Sequence, residues 1–171
     1  MNADEIFDIV DETGEKIGEA ARSEVHGNPA LIHRSVHVMV LNSEGELYLQ
    51  KRADNKDIQP GKWDTSVGGH VNQGEEVSAA AEREAEEELG ISGIDFEFLY
   101  TYLWRTEVET ELVTTYLCRY DGPVEPDRAE ITAGAFLPFD KIEANLGRGI
   151  FTPNFEEEFS RLKEYLKRAH D

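Results

Sequence analysis

Residues 69–91 read GHVNQGEEVSAAAEREAEEELGI, and they gather more carboxylates on one side of a helix than the helix tolerates by itself. At about 100° per residue, Glu84 and Glu88 lie one turn apart and Glu87 falls beside them. Like charges at that spacing each destabilise a helix by about 0.2–0.5 kcal/mol. Val77, Ala81, Ala85 and Leu89 form the neighbouring apolar stripe that must face the core, so the three carboxylates border the packed face. Arg83 stands i,i+4 from Glu87 and orients one carboxylate without neutralising the group. Hard oxygen ligands clustered at a core edge suit Mg²⁺ or Mn²⁺, which take carboxylates plus waters. The competing reading is a solvated acidic helix, and it is the better one for Glu82 and Glu86, which project to the other side.

The elements that must position this helix are legible around it. Gly68-Gly69 leads in after a short strand at 65–67, and Gly90 is suited to the left-handed residue that closes it. Residues 5–21 alternate around the turn Glu12-Thr13-Gly14-Glu15, which predicts an N-terminal hairpin. The runs 36–42 and 46–51 flank Ser43-Glu44-Gly45 and predict a second hairpin, while Pro60-Gly61 marks a turn before Trp63. Further strands are expected at 95–104, 112–120 and 133–137, and Pro138-Phe139-Asp140 opens a short helix. Phe155, Phe159, Leu162 and Leu166 recur at helical spacing, so 154–168 reads as an amphipathic helix packed on the domain. Interleaved helices and paired strands imply a mixed sheet flanked by helices within one domain spanning 1–171.

Composition limits the partners. The chain carries 17 Lys and Arg against 36 Asp and Glu, a net charge of −19 over 171 residues. Such a surface repels nucleic-acid backbones and anionic membranes, so neither is an expected partner. It also repels a phosphorylated substrate, which would need metal ions or a local basic patch. Cys118 is the single cysteine, lies in a strand-like run, and reads as buried and inert. No segment has the layout of a signal peptide or a membrane span, and the cytoplasm is the default location. The sequence does not specify an oligomeric state.

The segment from Gly69 to Ile91, with Glu75, Arg83-Glu84, Glu87-Glu88 and Gly90 at their spacing, resembles the box of the Nudix hydrolases. That resemblance implies an α/β fold, an α/β/α sandwich around a mixed sheet, with the box helix following a Gly-Gly loop. It also implies divalent-metal-dependent cleavage of a phosphoanhydride in a small-molecule nucleotide or other diphosphate. By the same resemblance Glu84, Glu87 and Glu88 are metal-ligating and water-activating carboxylates, with Glu84 favoured as base or bridging ligand. Gly68 or Gly69 would supply a carbonyl ligand, Arg83 would hold Glu84, Glu75 would support the box, and Glu109 or Glu111 would add a downstream carboxylate. The segment KRADNKDIQPGKWDTSVGGHV, residues 51–71, resembles the isopentenyl-diphosphate isomerase branch. There three His and two Glu make a separate metal site, and His26, His33, His70, Glu109 and Glu111 are the matching residues. The isomerase cysteine would fall at Gly68 and is missing, and the isomerases tend to have a degraded box. Both departures favour hydrolysis.

Arg34, Lys51, Arg52 and Lys62 are candidate phosphate contacts, each weighed against an ordinary surface charge. Trp63, Tyr102, Trp104 and Phe151 could stack on a base, but core packing is the commoner use of such residues. Three functions therefore stand at this level. The leading one is a Mg²⁺- or Mn²⁺-dependent hydrolase of nucleoside di- or triphosphates or other nucleoside diphosphate derivatives. The second is an isomerase-like enzyme on a small diphosphate, and the third a non-catalytic nucleotide-sensing module.

Overall fold

The computed structural model describes residues 5–56, 59–127 and 131–170. Nine strands form one sheet: β1 (Ile6–Val10), β2 (Lys16–Ala21), β3 (Ile32–Leu41), β4 (Glu46–Arg52), β5 (Trp63–Asp64), β6 (Val67–His70), β7 (Phe96–Arg105), β8 (Thr110–Arg119) and β9 (Ile131–Pro138). The helices are α1 (Arg22–Val25), α2 (Val77–Leu89), α3 (Phe139–Ala144) and α4 (Pro153–His170). Their arrangement is the expected α/β/α sandwich. Among the described residues no helix is long and apolar enough to cross a membrane.

β3 organises the sheet because it is buried on both faces, and its second half, Val36–Leu41, is accordingly apolar but for His37. Val36, Val38 and Val40 pack with Ala80, Ala81, Ala85 and Leu89 of α2. Met39 and Leu41 face the other way, onto Ile142 of α3 and Phe155, Phe159 and Leu162 of α4. α4 presents the apolar stripe read from its sequence, and it runs two residues longer at its C-terminal end and one at its start. Gly90 closes α2 at φ 70°, where a side chain would be strained.

The N-terminal hairpin forms as expected, with Asp11 Oδ1 accepting from the Thr13 and Glu15 amides to set its turn. The hairpin expected between 36–42 and 46–51 forms only at its turn, where the Asn42 amide donates to Glu46 O (3.0 Å). β3 and β4 share only the pair Leu41↔Leu47 and then part. β6 takes the vacated edge of β3, pairing Ser35↔His70 through Val38↔Val67, while β4 pairs with β5 and β9. The opposite edge of β3 is occupied along its whole length by parallel β8. Ser66 bridges the split, donating to Tyr48 O (2.5 Å) and accepting from the Val40 amide (2.9 Å). The wedge between the diverging strands opens on a cleft lined by Ser35 and His37 of β3 and Gln50 and Arg52 of β4.

Phe159 is fully buried between α4 and the sheet. Truncation of Phe159 to Ala should lower unfolding free energy by about 3–5 kcal/mol in equilibrium denaturation. A loss near zero would place α4 outside the cooperative core.

Candidate active site

Alternate residues of a strand face opposite ways, and β6 uses that alternation to address two walls. Gly69 faces α2, where an added Cβ would lie 2.2 Å from Glu84 Cδ. Gly68 faces the other side, where a Cβ would stand 3.2 Å from His37 Cδ2. Neither glycine has a positive φ, so close approach, not backbone conformation, demands the missing side chains. Glu84 therefore rests directly on the strand backbone.

Arg83 locks this junction. Its Nε and Nη2 take both oxygens of Glu75 (2.9 and 3.0 Å), Nη1 takes Glu84 Oε1 (2.7 Å), and Nη2 also donates to the His70 carbonyl (3.0 Å). The exposed Glu87 reaches Nη1 at 3.4 Å. The guanidinium holds the Glu75 carboxyl below its ordinary range, and Glu75 in turn keeps Arg83 charged. Glu88 accepts from Gln50 Nε2 (2.9 Å), which also binds Ser66 O. Burial first, and then the adjoining Glu84, push the Glu88 carboxyl well above its usual range. Two carboxyls forced together with one guanidinium at their rim form a donor set that fits a divalent cation.

The downstream residues also converge. The ring centroids of His26, His33 and His70 lie 5.1–5.7 Å apart. Phe7 stacks on His33 at 5.3 Å and leans on His70 at 4.9 Å. Glu109 Oε1 stands 3.3 Å from His26 Nε2 and 3.7 Å from His33 Nε2, yet it and His33 Nε2 are buried without a hydrogen bond. Ligand atoms of His33, Glu109 and Glu111 lie within 4.8 Å of one another, as do those of the three histidines. Burial, then the neighbouring imidazole His26, lower His33 to about 4. Burial, then His33, lower His70 to about 3. Burial and Glu109 raise Glu111 to about 7. The lowered imidazoles of His33 and His70, beside a Glu109 oxygen buried without a hydrogen bond, fit a second metal site.

Glu84, Glu87 and Glu88 line one cleft of about 880 Å³ together with His70, Glu109 and Glu111, while His26 and His33 are not on its wall. Of the candidate phosphate contacts, Arg52 lines it and lies 3.4 Å from Asp64 Oδ2. Lys51 and Lys62 are not on its wall, and neither is Arg34, which instead binds Asp8 at 3.2 Å. Trp104 lines the cleft, whereas Tyr102 and Phe151 are buried and Trp63 packs with the α4 core. Cys118 is fully buried on the α2 side, where burial pushes its thiol up to about 11.

Sequence reading missed a polar group beneath the cleft. His37 on β3 binds the fully buried Glu158 of α4 through Nδ1, and this pairing, against the cost of burial, raises the imidazole to about 9. The available signal was a carboxylate inside the apolar stripe of α4, between Phe155 and Phe159.

The family model for the NUDIX domain matches residues 31–155. The chain belongs to the Nudix family. An uncharacterised Nudix hydrolase of Streptomyces coelicolor is 37% identical over 166 residues, covering 96% of this chain and 91% of that protein. Isopentenyl-diphosphate Delta-isomerase 1 of Photorhabdus laumondii is 31% identical over 162 residues, covering 90% and 92%. A crystal structure from Deinococcus radiodurans superposes with a TM-score of 0.79 at 26% identity, covering 92% of this chain and 98% of that one. This Nudix chain thus stands among hydrolases with the isomerase-like branch beside it, and its box is intact.

The buried histidines make a pH-dependent prediction. Unfolded, His33 and His70 take a proton near 6.5; folded, only near 4 and 3. Their contribution to stability is fully present above about pH 6.5 and is lost as pH falls toward those values. Without metal, wild-type stability relative to His70→Gln should fall by up to about 1.4 kcal/mol per pH unit between about pH 6 and 4. Parallel stability curves for the two proteins would contradict a neutral, buried His70.

Proposed function

We propose that this Nudix hydrolase cleaves a phosphoanhydride bond of nucleoside di- or triphosphates or other nucleoside diphosphate derivatives, using Mg²⁺ or Mn²⁺. One observation carries the reading: Glu84 is seated on the Gly69 backbone against Glu88, with Arg83 gripping its outer oxygen. Glu84, Glu87, Glu88 and a carbonyl of Gly68 or Gly69 would hold the ions, joined by Glu109 or Glu111. Divalent ions there would supply positive charge against the phosphate oxygens and activate the attacking water. Glu84 would accept the proton of that water, with Arg83 Nη1 holding its carboxyl in position at 2.7 Å. Arg52 supplies a cationic side chain on the cleft wall for the substrate's phosphates. The net charge of −19 makes small molecules the expected partners, without nucleic acid or membrane, and the reduced Cys118 agrees with work in the cytoplasm.

A second reading, isomerase-like chemistry on a small diphosphate, draws on the convergence of His26, His33, His70, Glu109 and Glu111. It lacks a nucleophile or acid at Gly68, and Cys118 lies outside the cleft wall. Incubation with isopentenyl diphosphate should yield no dimethylallyl isomer; its appearance would promote this reading over hydrolysis.

For hydrolysis, Glu84→Gln, Glu87→Gln or Glu88→Gln should each cut turnover several hundredfold or more, an effect of about 3–4 kcal/mol on the barrier. Chelation should abolish turnover, and Mg²⁺ or Mn²⁺ should restore it. Gly69→Ala should displace Glu84 and cost about 100-fold in kcat with folding retained. Near-wild-type rates in the glutamate variants would defeat the proposal. Tight nucleotide binding without turnover in either ion would favour a sensing module.

A further inference from the structure

Four donors converge on Glu158, whose carboxyl is fully buried. His37 Nδ1 and the Tyr102 hydroxyl (2.7 Å) meet Oε2, and the hydroxyls of Tyr100 and Thr115 (each 2.8 Å) meet Oε1. The Tyr102 hydroxyl divides its one proton between Glu158 and Asn154 Oδ1 (2.6 Å), while Tyr100 and Thr115 donate to Oε1; a carboxyl ringed by such donors is an anion, and an anion buried this deeply requires a cation in contact. His37 is in contact. With Nδ1 committed to Glu158, its imidazolium has one N–H left, at Nε2.

That edge of the ring faces the cleft. His37 lines the wall, and a Cβ built on Gly68 would sit 3.2 Å from Cδ2 and 3.5 Å from Nε2. Glycine at 68 is therefore what leaves the Nε2–H accessible. The surrounding wall is polar: Ser35, Thr65 and Asn154 share it, and the buried Thr65 Oγ1 has no hydrogen-bond partner. Two further carboxylates, Asp64 and Glu111, act on the same imidazole. A bare phosphate oxygen would meet three negative groups here. A neutral hydroxyl can accept from His37 and donate to a carboxylate.

We propose that His37, aligned by Glu158, is a specificity-determining residue that reads the non-phosphate part of the substrate. Its Nε2–H donates to an oxygen of an uncharged, hydroxylated group such as the ribosyl of a nucleoside diphosphate. A prenyl chain is rejected at this wall because it would leave that N–H and the Thr65 hydroxyl desolvated and unpaired. This inference rests on the diphosphate-binding reading above and deepens it.

The test uses the full chain in Mg²⁺ and two non-hydrolysable probes, the methylene analogue of ADP and methylenediphosphonate, titrated calorimetrically. The ADP analogue should bind wild type more tightly. His37→Leu should weaken it by about tenfold or more, the size of one charge-assisted hydrogen bond, and leave methylenediphosphonate within about twofold. His37→Gln keeps a donor and should recover most of the loss. In wild type, the ¹⁵N resonance of His37 Nε2 should shift with the ADP analogue and stay put with methylenediphosphonate, a readout that needs no variant to fold. Equal loss for both probes, an unchanged ADP analogue affinity, or a silent Nε2 resonance overturns the proposal, as does an ADP analogue that binds wild type no tighter than methylenediphosphonate. Absence of nucleotide turnover would count against hydrolysis alone, since these readouts report binding.

Discussion

A single guanidinium holds the site together. Arg83 satisfies Glu75 with a two-pronged grip, steadies Glu84, touches Glu87, and reaches across to the carbonyl of His70. The fork geometry of arginine fixes all of these directions at once, which a lysine could not do. The box helix is thereby pinned to β6, and the close seat of Glu84 on Gly69 follows from that pinning. Arg83 brings one positive charge to Glu75, Glu84, Glu87 and Glu88. Burial and the adjoining Glu84 together raise the Glu88 carboxyl, a strain that a divalent cation would relieve.

The second organising feature is the parting of β3 from β4. Two strands that follow one another through a tight turn ordinarily stay paired. Here they separate after Leu41↔Leu47, and β6 enters the gap to complete the edge of β3. β6 then works as a hinge plate between chemistries. Gly69 turns toward the carboxylates of α2, Gly68 toward His37, and His70 toward His26 and His33. Three consecutive residues thus serve both walls of one cleft, Gly69 on one side and Gly68 and His70 on the other.

Much of this was legible in the residues. The stripe Val77, Ala81, Ala85, Leu89 fixed which side of the box helix is buried, and with it where Glu84 and Glu88 must point. The α4 stripe located its packed face in the same way. Periodicity is a local property, so it survives translation into structure. The fate of β4 was not legible. Strand pairing is decided by competition among distant segments for the same backbone edge, and nothing in the turn Ser43-Glu44-Gly45 reports that β6 will win it. The same limit applies to Arg34, Lys51 and Lys62, whose charges suggested phosphate contacts but whose side chains lie off the cleft wall.

By itself the sequence determined the acidic helix, the glycines that receive it, the arginine that clamps it and a mixed sheet between helices. Those features follow from the spacing of residue types along a few turns of chain. The resemblance to the isomerase branch already implied that His26, His33 and His70 meet Glu109 and Glu111; only the tertiary structure decided that His37 lies against Glu158 across 121 positions of sequence. Such encounters depend on which strands become neighbours and which face a helix lays on them. Buried charge leaves a mark in the sequence only as an ill-placed polar residue, and its partner is named by the fold.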